Sequence, residues 1–232
     1  MKIQSTFNKK GITLIELLVS LVIAAITLAG VYRVFISQTK TYAIQDQVVE
    51  VQQSVRSAMD IISRDLRMTG FDDDNPASVA AGVTIPTAIT TLASNSIAVN
   101  YEYYNRTLNQ YESHRVTYAI NASSQLTRTI NVTAAVPPVP NPRTEALLDN
   151  VSALVFTYGI DANSDKIMDD QNGDGINNAS DYVAAASVGT ATVVAVRVTL
   201  TGGPSPTNVD VAKVVSPRTL VSAVTLRNIC LR

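Results

Sequence analysis

The chain has 232 residues, with 18 Lys and Arg against 19 Asp and Glu for a net charge of −1, which excludes a strongly basic nucleic-acid surface and a strongly acidic solvating tail. Only 16% of residues are charged while 46% are hydrophobic, against about 25% charged in an average domain, so the chain can fill a core, and its many Val, Thr and Ser residues favour β structure. One cysteine, Cys230, and one histidine, His114, exclude an intrachain disulfide and a multi-cysteine metal site and leave little for the commonest catalytic constellations.

Residues 1–11, MKIQSTFNKKG, carry Lys2, Lys9 and Lys10 and no acid. They run into a stretch that is uncharged from Ile12 to Tyr32 apart from Glu16, close to the ~20 residues that cross a bilayer as a helix. The lysines predict a cytoplasmic N-terminus with everything after Arg33 exported. A secretory signal has its small-residue cleavage site after the apolar run; here Gly11 stands before it, so cleavage there would leave the anchor attached. Glu16 is what a plain anchor does not explain, because a carboxylate within a spanning helix costs roughly 2.5 kcal/mol or more. Cleavage after Gly11 would create an α-amino group on Ile12, one helical turn away, as a partner in the same or a neighbouring subunit. The alternative is a signal anchor whose Glu16 lies near enough to the interface to be solvated.

Lys9-Lys10-Gly11 followed by Ile12-Thr13-Leu14-Ile15-Glu16-Leu17-Leu18-Val19-Ser20 resembles the class III leader and N-terminal segment of bacterial type IV pilins and type II secretion pseudopilins. The resemblance implies that a prepilin peptidase cuts after Gly11 and methylates Ile12, and that Glu16 supports docking into a growing filament. Ile12 stands where the family more usually has phenylalanine. Removing residues 1–11 takes away three lysines, leaving the rest of the chain at −4.

Val48, Val51, Val55, Ala58 or Met59, Ile62 and Leu66 then recur at three- and four-residue spacing among Gln, Asp, Arg and Ser, the pattern of an amphipathic helix. No proline interrupts Ile12 to Thr69 and Gly70 is a suitable stop, so one helix is predicted, with residues 12–41 as its membrane half and 42–70 as the half packed on a head. The segment from Ala58 to Phe71 is similar to the one that closes the long helix in PilW-like minor pilins and, less closely, in J-type pseudopilins. Arg64, Asp65 and Arg67 are expected to form helix-surface ion pairs, either solvated or in a subunit contact.

Residues 71–232 are predicted to be an exported β-rich head. Ile97, Val99, Tyr101 and Tyr103 keep period two, as do Val116, Tyr118 and Ile120, and Leu126, Ile130 and Val132, with a hairpin turn at residues 121–124. Pro137, Pro138, Pro140 and Pro142 are expected to break the sheet at an exposed crossover. Strands resume at residues 151–158, 193–201 and 221–227. The fold class is therefore α+β: a long N-terminal helix packed against an antiparallel or mixed β head.

The acidic loop at residues 161–181 has the one recognisable ligand pattern. Asp170, Asn172, Asp174, Gly175, Asn178 and Asp181 occupy positions 1, 3, 5, 6, 9 and 12 of an EF-hand-like loop, with the Ile176 carbonyl at position 7. Asp161, Asn163, Asp165 and Asp169 repeat that logic as a weaker second site, weakened by Lys166 where glycine would ease the turn. Hard oxygen donors without His or Cys point to Ca2+, and the spacing is similar to dockerin and thrombospondin calcium loops. A solvated Asp and Asn turn is the alternative.

Several residues tempt towards chemistry without a partner to support it. His114 and Cys230 lack a visible orienting group, Tyr101, Tyr103, Tyr104, Tyr111 and Tyr118 read as sheet packing without a basic groove, and the Asn105 and Asn121 sequons are weak in such a composition. No catalytic residue is assigned, and the chain is expected not to be an enzyme. The resemblance implies a minor pilin of the inner membrane, a single-pass precursor with a periplasmic head that later joins a pilus filament or the cell surface. Its partners would be other major and minor pilins, the prepilin peptidase and the assembly platform, with nucleic acid an unlikely one. A type II secretion minor pseudopilin and a calcium-dependent adhesive or DNA-contacting tip module are the alternatives.

Overall fold

A computed structural model of the chain describes residues 11–73, 76–83, 85, 87–204 and 214–230. The leader lysines Lys2, Lys9 and Lys10 lie outside the described residues. Helix α1 covers Leu14–Met68, within one turn of both predicted ends. It stops where expected because Gly70 takes φ +74°, a left-handed conformation that suits glycine after a helix C-terminus. The Gly70 N–H leaves the helix pattern and donates to the Asn100 carbonyl at 2.8 Å.

The chain divides into two compact units, residues 1–46 and 47–232. In the first unit the described helical residues are almost all exposed, Leu14, Ile15 and Leu28 among them. Within α1 lies a segment long and apolar enough to cross a membrane.

Among the described residues of the second unit, a short helix α2 (Pro76–Ala80) precedes eight strands and a short helix α3 (Arg227–Cys230). Strands β1 (Ile89–Leu92), β2 (Ile97–Asn105), β3 (Gln110–Ile120), β4 (Leu126–Thr133) and β5 (Arg143–Leu148) form one antiparallel meander in that order. Strands β6 (Val151–Asp161), β7 (Thr192–Gly202) and β8 (Arg218–Thr225) form a second antiparallel sheet. The sheets meet where the Phe156 N–H donates to the Ser94 carbonyl and the Tyr158 hydroxyl to the Ala93 carbonyl, at 2.8 and 2.7 Å. Val51, Val55, Ala58, Met59, Ile62 and Leu66, the predicted stripe beyond Val48, are buried in one cluster with Ile97, Val99, Val116 and Tyr118 of the first sheet and Phe156, Val196, Val198 and Leu200 of the second. Gly202 is required at the end of β7, since a Cβ there would stand 2.7 Å from a Val55 methyl.

Two expectations are corrected. The proline cluster lies in an exposed connection outside the strands, as expected, but it does not end the sheet, because β5 resumes pairing with β4 at Arg143 opposite Ile130. The strap between them is pinned by Asn141, whose side chain accepts from the Val132 N–H at 2.9 Å and donates to the Val132 carbonyl at 2.6 Å, in place of the backbone donors that proline lacks. Asp65 is not a surface charge: it is 3% exposed, accepts the Tyr118 hydroxyl at 2.5 Å and the Arg128 Nε–H at 2.7 Å, and Arg128 reaches on to Glu145 at 2.9 Å.

Candidate functional site

Gly11 and Ile12 are exposed and non-helical, immediately before the first turn of α1, and nothing lies within 4 Å of where a Gly11 Cβ would be. Among the described residues the bond between them is therefore free of packing and of helical hydrogen bonding. Thr13 and Glu16 build the helix start. The Glu16 N–H donates to Thr13 Oγ1 at 3.3 Å, and the Thr13 hydroxyl reaches Glu16 Oε2 at 3.4 Å, so Thr13 stands as N-cap with Glu16 three residues on. In this chain, before any cleavage, the carboxylate is thus engaged by the Thr13 hydroxyl and favoured by the helix N-terminus. The acid that sequence reading treats as an intersubunit group has an intrahelical role as well.

The acidic loop leaves the end of β6, and its two halves fold alike. Asp161 accepts the Ser164 and Lys166 N–H groups at 2.6 and 2.9 Å; Asp170 accepts those of Gly173 and Gly175 at 2.7 and 2.6 Å. Asn163 accepts the Asp165 N–H and Asn172 the Asp174 N–H, both at 2.9 Å. Asp165 and Asp174 accept the N–H groups of Ile167 and Ile176, both at 2.8 Å. Positions 4 and 6 of each half are left-handed: Ser164 at 66° and Lys166 at 68°, Gly173 at 73° and Gly175 at 79°. Glycine adopts that region without strain and Lys166 does not, so the first half carries a conformational cost of about 1 kcal/mol that the second lacks.

Of the predicted ligands, Asn172, Asp174, Ile176 and Asn178 are brought together. Asp174 Oδ2 accepts from the Asn172 and Asn178 amides at 2.9 and 3.0 Å, and the Asn178 amide also donates to the Ile176 carbonyl at 3.0 Å. Asp170 lies beside them, held below the usual carboxylate range by the Gly175 N–H and then, against partial desolvation, by the Gly173 N–H. Asp181 is turned inward: fully buried, it accepts the Gln171 and Asn178 N–H groups at 3.0 and 2.6 Å and closes a capping box over the turn Ala179–Asp181. Asp169 likewise accepts the Ala162 N–H at 2.7 Å. Among the described residues no three His, Cys, Asp or Glu side chains converge as metal ligands. What converges is the Asp174 carboxylate and the Ile176 carbonyl, met by the amide N–H groups of Asn172 and Asn178, while the two Asn side-chain oxygens accept the Asp174 and Ser180 N–H groups.

Other placements revise the sequence reading. Tyr101 and Tyr118 are buried as expected, whereas Tyr103 and Tyr104 are 47% and 40% exposed. His114 lies within β3, its Nε2 2.7 Å from Glu112 Oε2. Cys230 is half-buried, and desolvation, reinforced by Asp161, pushes its thiol up, away from reactivity. Sequence reasoning missed Glu102, which is 1% exposed with Oε2 unbonded among the described residues. Burial, with Asp72 and Asp73 beside it, pushes its carboxyl up to about 7. No local signal marks it: the period-two reading of Ile97, Val99 and Tyr101 sets Glu102 on the opposite face, and β2 is buried on both faces from Ile97 to Glu102.

The profile of the prokaryotic N-terminal methylation motif matches residues 6–32, which covers part of the leader, the Gly11–Ile12 bond, Glu16 and the apolar first part of α1. No curated protein matches the chain. The N-terminal segment is thus a type IV prepilin-like leader followed by a long apolar helix, and the α+β layout behind it is pilin-like.

Proposed function

We propose that the chain is a minor pilin of the PilW-like kind, cut after Gly11, methylated on Ile12 and assembled with other pilins at the start or tip of a type IV pilus. The observation that carries this reading is the methylation motif at residues 6–32 joined without a break to a 55-residue helix whose distal turns bury their apolar stripe in a β head. The precursor would span the inner membrane once with its head in the periplasm. Prepilin peptidase and the assembly platform would be its first partners, and other pilins its lasting ones. The minor pseudopilin of a type II secretion system shares each of these features, and co-purification of the full chain with the pilins encoded beside it separates the two. The chain is assigned no reaction of its own.

The acidic loop is proposed as a Ca2+ loop, with Asp170, Asn172, Asp174, the Ile176 carbonyl and Asn178 as ligands and Asp181 bracing the turn. Its support is the duplicated loop geometry and the EF-hand-like spacing of oxygen-bearing side chains in the sequence. A Ca2+-ordered loop on an exported head would suit surface contact from a filament tip. Replacing Glu16 by Ala is expected to leave leader removal intact and to lower incorporation into filaments at least about tenfold; normal piliation by that variant would remove the proposed role of Glu16.

A further inference from the structure

A cavity of about 520 Å³ lies between β3 and β4 and the proline strap at residues 134–142, within the size range of small-molecule sites. Its apolar lining is Ile130, Val132, Pro138 and Pro140. Glu112, His114 and Arg143 also line it, with His114 opposite Val132 and Arg143 opposite Ile130 in the strand register, so polar and apolar groups stand side by side. Glu112 is 3% exposed; its Oε1 accepts the Asn105 and Gln110 amides at 2.8 and 3.0 Å and its Oε2 faces His114 Nε2 at 2.7 Å. Burial alone would raise its pKa, but the hydrogen bonds from His114, Gln110 and Asn105 outweigh that and hold the carboxyl below its ordinary value.

The buried carboxylate fixes the histidine. With Nε2 committed to Glu112, Nδ1 is left without a partner among the described residues, and the Tyr101 and Tyr103 rings flank the imidazole at 5.6 and 5.1 Å between centroids. Arg143 commits Nη2 to Glu145 at 3.1 Å and leaves its other donors free among the described residues. No nucleophile lies in the cavity lining, so the arrangement is one for holding a ligand rather than transforming it.

The ligand class follows from what is left uncommitted. Glu112 is answered by His114, Gln110 and Asn105, and Arg143 by Glu145, so the lining calls for a neutral molecule. The free imidazole nitrogen and the remaining guanidinium donors offer an acceptor and donors, the set that pairs with hydroxyl groups. Beside them Ile130, Val132, Pro138 and Pro140 offer hydrocarbon and proline ring faces. We propose that this cavity binds a neutral pyranose sugar, its hydroxyl edge on His114 and Arg143 and its C–H face on Ile130, Val132 and the strap. The site stands whether or not the chain assembles into a filament.

The single histidine of the chain gives an uncrowded reporter. The full chain in detergent micelles is titrated to about 50 mM with the methyl α- and β-pyranosides of glucose, galactose and mannose, far above the ~1 mM Kd of a weak site, and the His114 ring resonances are followed by NMR. At least one pyranoside is expected to shift them saturably. Arg143→Gln, at a side chain 66% exposed, is expected to weaken that binding about tenfold with an unchanged melting temperature. Cyclohexanol, with the ring but a single hydroxyl, and glucuronate, with the ring and a charge, should bind more weakly than the best methyl glycoside. The proposal is overturned if no pyranoside shifts His114, if cyclohexanol or glucuronate matches the best glycoside, or if Arg143→Gln binds as the wild type does.

Discussion

Truncating Asp65 to Ala would leave the Arg128 guanidinium beside an empty space, with Glu145 alone to answer it and the Tyr118 hydroxyl without its acceptor. Removing one partner of a buried pair costs about 3–5 kcal/mol, so Asp65→Ala should lower the denaturant midpoint markedly, and Asp65→Leu combined with Arg128→Met should recover much of the loss. Recovery by the single Asp65→Leu change would contradict the pairing. Glu102 carries the opposite kind of information. Its folded pKa, about 7, lies above the ordinary 4.5, so the native state holds a proton that the unfolded chain releases. The stability this contributes is complete below about pH 4.5 and is lost as pH rises through about 7. Glu102→Gln should therefore flatten that fall, and between pH 5 and 8, where the shift is worth about 2.5 kcal/mol, the melting temperature of the wild type should drop by about 5–10 °C more than that of the variant. Parallel profiles would mean that the carboxyl is already ionised at pH 5.

At the scale of elements, the acidic loop ties two strands of the smaller sheet and already satisfies most of its carboxylates with its own backbone N–H groups. An ion would find the second half nearly formed and the first half strained at Lys166. With a Kd near 10⁻³ M, Ca2+ at about 10 mM contributes ~1.4 kcal/mol, and the melting temperature of the full chain should rise by about 3–5 °C, with Asp174→Ala abolishing the rise. An unchanged curve would reduce the loop to a braced turn. Legibility differed between elements for physical reasons. The three- and four-residue spacing of Val51 to Leu66, the period-two runs of β2, β3 and β4 and the turn at 121–124 are local signals, and the structure keeps them. Strands β1 and β5 were not legible, because they are short edge strands whose pairing depends on neighbours, and Pro142 directly before β5 reads as a breaker. The burial of Asp65 depends on Tyr118 and Arg128, more than fifty residues away in sequence, and the separate second sheet depends on β6 pairing with the distant β7, Val151 opposite Gly202. Of the candidate sites, Gly11, Ile12 and Glu16 are legible because leader and helix cap are contiguous, whereas the Glu112–His114 pair needs the strand register and the strap to come together.

For the whole molecule, the account joins an apolar helix that is retained after trimming to a head stapled onto its distal turns by the core cluster and by Asp65. On the proposed reading, the head supplies whatever is specific to this chain, and the N-terminal segment supplies the route into the membrane and out of it. Glu16 caps the helix through Thr13 in the untrimmed chain, and on the same proposed reading it faces the new amine of Ile12 or of a neighbouring subunit after trimming. That sequence of events rests on one covalent change at the Gly11–Ile12 bond. The most direct measurement is the mass of the N-terminal peptide of the chain extracted from membranes of its native host, compared with a strain lacking prepilin peptidase. The account predicts a peptide beginning at methylated Ile12 in the first and at Met1 in the second; a chain that begins at Met1 in both, or beyond Tyr32, would contradict it.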